Sequence, residues 1–248
     1  MERIWSVHEL DGARLCSELE ESLRRLGTEY IDLYQVHWPD PLVPIAETAA
    51  LLAGFVREGK VRALGVSNFS VAEMEEFRSQ VPLVSDQPPY NIFDRQIDQV
   101  APRGEAILPW CKANGVAVLC YSSLCRSLLA GRVHRGMKFE AGDIRRVDPK
   151  FREPRFSEYM AAVERLGDFA RERYGKTVLE LAVRWVLDRP GVSVALWGAK
   201  RPEQLDAVEG VFGWKLDAEA MVEIDRVVAA SITDPIGPEY LTPQVREN

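Results

Sequence analysis

GKVRALGVSNFSVAEMEEFRS, residues 59–79, holds an apolar run, a short polar break and a helix start in one span. Val61 to Val66 reads as a strand. Ser70 can cap a helix over Val71 to Ser79, because its hydroxyl accepts from the free amides of the first turn. Glu73, three places on, completes a capping box. No hairpin signal separates the two. A strand that runs at once into a helix is the repeating unit of a parallel sheet.

The same alternation recurs along the chain. IDLYQVHWPD at 31–40 supplies Ile31, Leu33 and Val36 as strand formers and Pro39 as a terminator. Expected strands are Ile31 to His37, Val61 to Val66, Leu83 to Asp86, Val116 to Tyr121 and Val192 to Trp197. Leu15, Leu19, Leu23 and Leu26 mark one face of a helix over 11–26. Pro44 opens another near Ile45 to Glu58. Further helices are expected near 104–114, 157–173, 177–188, 202–208 and 217–230. Strands that are apolar without alternation point to burial on both faces, as in a parallel sheet covered by helices. No Gly-x-Gly-x-x-Gly follows any strand, which argues against a Rossmann nucleotide site. The stretch 124–156, rich in Arg, Gly and Asp, reads as a functional loop. No linker is evident, so residues 1–248 read as one domain.

A net charge of −7 disfavours nucleic acid and anionic lipid as partners. No apolar run approaches the roughly 20 residues that cross a bilayer, and MERIWSVHELDG lacks the apolar core of a secretion signal. Cys16, Cys111, Cys120 and Cys125 are few and unclustered. They read as reduced thiols of a cytoplasmic protein, with no metal site expected.

Five stretches carry a family resemblance: DLYQVHWPD, GKVRALGVSNFS, DQPPYN at 86–91, YSSLCRSLLAGR at 121–132 and ALWGAKRPEQLDAV at 195–208. Together, and in this order, they resemble the aldo-keto reductase family from about residue 11 to the C-terminus. The resemblance implies a (β/α)8 TIM barrel binding NADP(H), with NAD(H) as the alternative, across the C-terminal ends of its strands. His37, Ser67, Asn68, Gln87, Tyr121, Ser122 and Gly198 stand at or just past strand ends, which share one rim in such a barrel.

By the same resemblance, His37 orients the substrate carbonyl and assists proton delivery. Ser67, Asn68 and Gln87 hold the nicotinamide carboxamide, which needs both a donor and an acceptor. Tyr121 stacks on the nicotinamide. Ser122, Ser123, Leu124, Leu129 and Arg132 belong to a loop folding over the pyrophosphate, and Gly198, Lys200, Arg201 and Gln204 cradle the adenosine 2′-phosphate. The sequence departs from the family at Ser127, where Gly is frequent, and at Trp197, where Pro is frequent. Ala207 and Val208 stand where many members bind adenine with an acidic residue and Asn.

The family's chemistry uses Asp, Tyr, Lys and His, and only His37 of the four is matched. The chain therefore reads as about strands 4–8 of the barrel, with the first three strand–helix units missing. Open sheet edges would then invite self-association. The expected function is NADPH-dependent reduction of small-molecule aldehydes and ketones to alcohols, with little turnover by this chain. The alternative is a catalytically inactive nicotinamide-binding regulatory or interaction module, or a truncated fragment.

Overall fold

The computed structural model describes residues 10–99 and 106–238. These form two compact units, one of residues 10–88, 97–99 and 106–119, the other of residues 89–96 and 120–238. The five expected strands are all present, as β1 (Ile31–Val36), β2 (Val61–Ser67), β3 (Ser85–Gln87), β4 (Ala117–Cys120) and β5 (Val192–Ala195). They give an α/β fold whose strand order is sequence order, β1-β2-β3-β4-β5. No helix among the described residues is long and apolar enough to cross a membrane.

In the first unit the helices are α1 (Gly12–Leu26), α2 (Ile45–Arg57), α3 (Val71–Arg78) and α4 (Ile107–Asn114). Expected positions 104 and 105 of the last lie outside the described residues. Local chemistry sets the boundaries. The Asp11 carboxylate accepts from the Arg14 amide at 3.0 Å, and Gly27 closes α1 in the left-handed conformation at φ 65°. The capping box of α3 is complete: Ser70 Oγ accepts from the Glu73 amide at 3.2 Å, and Glu73 Oε2 from the Ser70 amide at 2.7 Å. Leu15, Leu19 and Leu23 are buried as expected, whereas Leu26 is 66% exposed. Its angular position fits the stripe. At the last helical residue it has run past the surface that the other three cover.

Strands β1 to β4 pair in parallel, with Gln35, Gly65, Ser85 and Ala117 in one transverse row. Val36, Val66, Asp86 and Val118 form the next. Adjacent rows face opposite sides of a sheet, so one side carries glutamine, glycine and serine and the other carries valines and one aspartate. The expectation of burial on both faces holds for most of β2 but not for β1. Asp32 and Leu33 are exposed there, and among the described residues β1 pairs with β2 alone.

Asp86 is fully buried between Val66 and Val118, and neither carboxyl oxygen accepts a well-formed hydrogen bond. Burial pushes its pKa up to about 8, against a smaller opposing pull from the Gln87 amide. Cys111 of α4 is also pushed up, to about 12, by burial and then by Asp86, with Arg78 of α3 pulling the other way.

The second unit contains α5 (Arg155–Tyr174), α6 (Val178–Leu187) and α7 (Ala218–Ser231). Past β5, the Leu196 amide donates to the Cys120 carbonyl at 2.8 Å. Trp185, Tyr90, Tyr159 and Leu128 are among its fully buried side chains. The stretch expected as a helix over 202–208 is a 3-10 helix, Pro202–Val211. Gln204 Oε1 accepts from the Lys200 and Arg201 amides at 2.6 and 3.1 Å, tightening its start. The loop 124–156 is organised by short 3-10 turns at Leu128–Ala130, Ile144–Arg146 and Pro149–Phe151. Asp143 and Asp148 cap the last two with their carboxylates.

Beneath this loop a buried ion pair joins Lys150 Nζ to Asp94 Oδ1 at 2.9 Å. Asn91 Nδ2 donates to Asp94 Oδ2 at 2.9 Å and to the Ser122 carbonyl at 3.1 Å. Above it Cys125, Arg126 and Ser127 stand in succession at φ 45°, 51° and 75°. L-residues resist that conformation because Cβ crowds the following carbonyl oxygen. Ser127 is the exposed member of the three, and glycine there would carry no such crowding.

Two outcomes follow for stability. Asp86 stays protonated in the folded state up to about pH 8, while the unfolded chain ionises it near its ordinary value of 3.8. Its contribution is therefore whole below pH 4 and is lost as pH rises towards 8. Thermal melts of Asp86→Asn against the parent chain should show a Tm gain that widens from pH 5 to pH 8. A constant offset would refute the assignment. Ser127→Gly should raise stability by about 0.5 kcal/mol, the relief of left-handed strain less the added entropy of the unfolded glycine. Urea unfolding at constant m would register it.

Candidate functional site

In the first unit three strand ends and the residues after them build one hydrogen-bonded group. Ser67 ends β2, is buried, and donates through Oγ to the Gln87 carbonyl at 2.6 Å. Asn68 follows at φ 61°, a left-handed position that asparagine tolerates better than most residues. Its Nδ2 donates to the His37 carbonyl at 3.0 Å and to Ser67 Oγ at 2.9 Å. Gln87 ends β3, and its Oε1 accepts from Gln35 Nε2 at 3.1 Å. Gln35 Oε1 in turn accepts from Ser85 Oγ at 2.8 Å. His37, just past β1, exposes its imidazole, with the ring edge-on to Trp38 at 6.5 Å between centroids.

These bonds decide what the group can offer a ligand. Ser67 uses its proton on Gln87, and Asn68 uses its amide protons on His37 and Ser67. Gln87, with Oε1 engaged by Gln35, presents a donor, Nε2. Such a donor can meet the carbonyl oxygen of a primary carboxamide.

Two tyrosines lie near these residues in sequence. Tyr34 is half-buried, and burial raises its pKa above 10, with Glu18 adding to the rise. Tyr90 is fully buried, accepts from Arg189 Nε at 2.9 Å, and packs against Trp185 at 5.1 Å between centroids.

In the second unit, Tyr121 is half-buried just past β4, bridged to Pro89, and its carbonyl accepts from the Tyr90 amide at 3.0 Å. Ser122 stands at φ 60°. Ser123 is buried and its Oγ donates to the Cys120 carbonyl at 3.2 Å. Leu124 accepts through its carbonyl from Leu129, whose side chain is fully buried. Leu129 thus serves the core with its side chain. Arg132 is exposed beyond the left-handed Gly131.

Gly198, Lys200 and Gln204 come together with Arg126, Ser127, Glu140, Asp143 and Arg145 around a cavity of about 760 Å³. Arg132 and Arg201 are not among the residues that line it. Three cations face two carboxylates there. Arg126 Nε lies 3.5 Å from Asp148, and Arg145 forms two bonds to Asp143 at 2.9 and 2.5 Å. The Arg145 guanidinium holds the Asp143 carboxyl down at about 2, and Lys200 adds a weaker pull in the same direction. Lys200 has no ion-pair partner among the described residues, which leaves its ammonium as the cation able to meet an anion.

Sequence reasoning missed Gln35, read only as part of a strand, and the loop residues Glu140, Asp143 and Arg145. Gln35 left one signal: a long polar side chain two places before His37. The loop residues left none beyond composition.

Comparison with known proteins gives the same direction. Residues 6–229 match the model of the Aldo/keto reductase family. The chain is 50% identical over 235 residues to the aldo-keto reductase YhdN of Bacillus subtilis (strain 168), covering 95% of this chain and 69% of that one. It is 34% identical over 191 residues to the NADH-specific methylglyoxal reductase of Escherichia coli (strain K12), covering 76% of this chain and 56% of the relative. Among solved structures, the glycerol dehydrogenase AKR11B4 from Gluconobacter oxydans matches with a TM-score of 0.83 at 44% identity, over 93% of this chain and 68% of that one. The family match over residues 6–229 and the identity to these relatives show that this chain belongs to the aldo/keto reductase family of oxidoreductases.

Proposed function

We propose that the chain binds a nicotinamide dinucleotide, NADP(H) ahead of NAD(H), and takes part in reducing small aldehydes and ketones to alcohols. The observation that carries this reading is the bonded set Ser67, Asn68 and Gln87 at the ends of β2 and β3, in which Gln35 engages Gln87 Oε1 and leaves Nε2 as the donor of that side chain. The carbonyl oxygen of a nicotinamide carboxamide can accept from that donor. Tyr121, at its strand end, supplies the aromatic face the family resemblance assigns to the ring. When bound, the nicotinamide supplies a hydride. The chain's own residues bind and orient it.

Lys200 supports the phosphorylated form of the cofactor. Arg145 is engaged by Asp143, so the ammonium of Lys200 is the cation left for an additional phosphate. Ser122 and Leu124 contribute backbone groups to the loop that by resemblance covers the pyrophosphate. Ser123 and Leu129, buried by their side chains, hold that loop in place. Arg132 and Arg201, both exposed, remain charges at its margin.

His37 is the one residue of the family's Asp-Tyr-Lys-His set that this sequence matches. Its exposed imidazole can orient a carbonyl oxygen and pass a proton. With the tyrosine acid unmatched, carbonyl reduction by the 248-residue chain should be slow, while cofactor binding persists.

Fluorescence titration with NADPH and NADH, followed by a panel of aldehydes, tests both halves. NADPH should bind the tighter of the two, and Lys200→Ala should weaken it about tenfold, or about 1.4 kcal/mol, while leaving NADH nearly unchanged. His37→Ala should remove whatever slow NADPH oxidation is measured. Equal affinity for the two cofactors would overturn the phosphate assignment, and binding of neither would overturn the whole reading.

A further inference from the structure

One cation of the cavity in the second unit is held within the loop itself. Asp143 stands just before the 3-10 turn Ile144–Arg146, and its Oδ1 accepts from the Arg145 amide at 3.0 Å. The same oxygen accepts from Arg145 Nε at 2.9 Å, while Oδ2 accepts from Nη2. One edge of the guanidinium is thus gripped by a single carboxylate, and its central carbon lies 4.3 Å from the centroid of the Phe139 ring. A fork of this kind fixes a planar cation in place. Lys200 lines the same cavity, with its backbone amide donating to Gln204 Oε1 at 2.6 Å. A Cβ at Gly142 or Gly198, both in the lining, would meet no heavy atom within 4 Å, so the lining is open at these two places.

Resting on the cofactor reading above, we infer that Asp143 is a specificity-determining residue: by engaging the Arg145 guanidinium it withholds a second cation from the phosphate that Lys200 meets, and so limits the preference for NADP(H) over NAD(H). The Asp143–Arg145 pair is neutral as a unit, and each charge cancels the other at close range. An arginine released from it could meet a phosphate through two parallel N–H donors, which a single ammonium does not offer. The chain would then favour the phosphorylated cofactor more strongly than it does with the pair intact. The Asp143 carboxyl is held down at about 2, so it is charged throughout the working range and the restraint does not vary with pH there. Asp143 acts through Arg145 and needs no contact of its own with the cofactor.

Fluorescence titration of the full chain with NADPH and NADH tests this role against a merely structural one. Asp143→Asn removes the charge but keeps a side-chain oxygen able to accept from the Arg145 amide, so the turn stays capped. It should tighten NADPH three- to tenfold and change NADH by less than twofold, and the gain should shrink as salt is raised. Adding Arg145→Met should return NADPH to its affinity for the parent chain, since a neutral ion pair has then been replaced by two neutral side chains. In a Lys200→Ala background, Asp143→Asn should restore most of the lost NADPH affinity, with Arg145 taking up the anion. Should Asp143→Asn not fold, Asp143→Ser, whose hydroxyl also caps, should give the same split between the two cofactors. An unchanged NADPH affinity, an equal change for both cofactors, or a gain that survives Arg145→Met would each overturn the inference while leaving the cofactor reading standing. Equal affinity of the parent chain for the two cofactors would remove the phosphate from the cavity and the inference with it. If the parent chain binds neither, the cofactor reading falls and the role of Asp143 falls too.

Discussion

Register between β1, β2 and β3 is the constraint on which the first unit depends. Pairing Gln35 with Gly65 and Gly65 with Ser85 puts three polar or side-chain-free positions on one side of the sheet. The neighbouring row, Val36, Val66 and Val118 around Asp86, then falls on the other side. A slip of one residue would exchange the two faces, driving Gln35 among valines and the valines into the polar row. A buried amide without a partner costs roughly 1–3 kcal/mol, and several would be orphaned at once. The internal bonds of Gln35, Ser85 and Gln87 thus specify the register that makes them, and the glycine at 65 is the one residue type that permits it.

Three aspartates show how placement alone divides the work of one side chain. Asp143 lies at the surface of the cavity, is gripped by Arg145, and is held down at about 2, so it stays charged and balances part of the local cation excess. Asp94 is buried but meets the Lys150 ammonium and the Asn91 amide, and with them it supports the left-handed turn at Cys125 to Ser127. Breaking such a buried pair from one side leaves an uncompensated charge, at a cost of about 3–5 kcal/mol. Asp86 has neither partner and keeps its proton, pushed up to about 8 by burial. Only the first of the three stands where a ligand can reach it.

Much of the fold was legible because local chemistry and periodicity agreed. The capping box at Ser70 and Glu73, the leucine stripe of α1 and the apolar runs gave every strand and most helix limits to within a few residues. The failures have physical causes. Leu26 fits the helical period, but period reports direction and not what lies in that direction. The stretch after Arg201 tightened into a 3-10 helix because Gln204 turns back onto two amides at its start, a tertiary detail of one side chain. Glu140, Asp143 and Arg145 reach the cavity through turns capped by aspartates in a loop whose composition fixes no geometry. The departure at Ser127 became intelligible only with its φ of 75°, since the value of glycine there is conformational.

The candidate site was legible as a list of residues but not as a set of directions. Sequence placed Ser67, Asn68 and Gln87 at strand ends, and each can both donate and accept. The bonds among them remove most of that freedom: the donors of Ser67 and Asn68 point inward, and the acceptor of Gln87 does too. What Gln87 keeps is one donor, Nε2, held in a single orientation. A donor already fixed in orientation needs no reorganisation when it is met, so more of its hydrogen-bond energy appears as affinity. Gln35, bonded to Ser85 and given room by Gly65, holds that orientation from within the sheet.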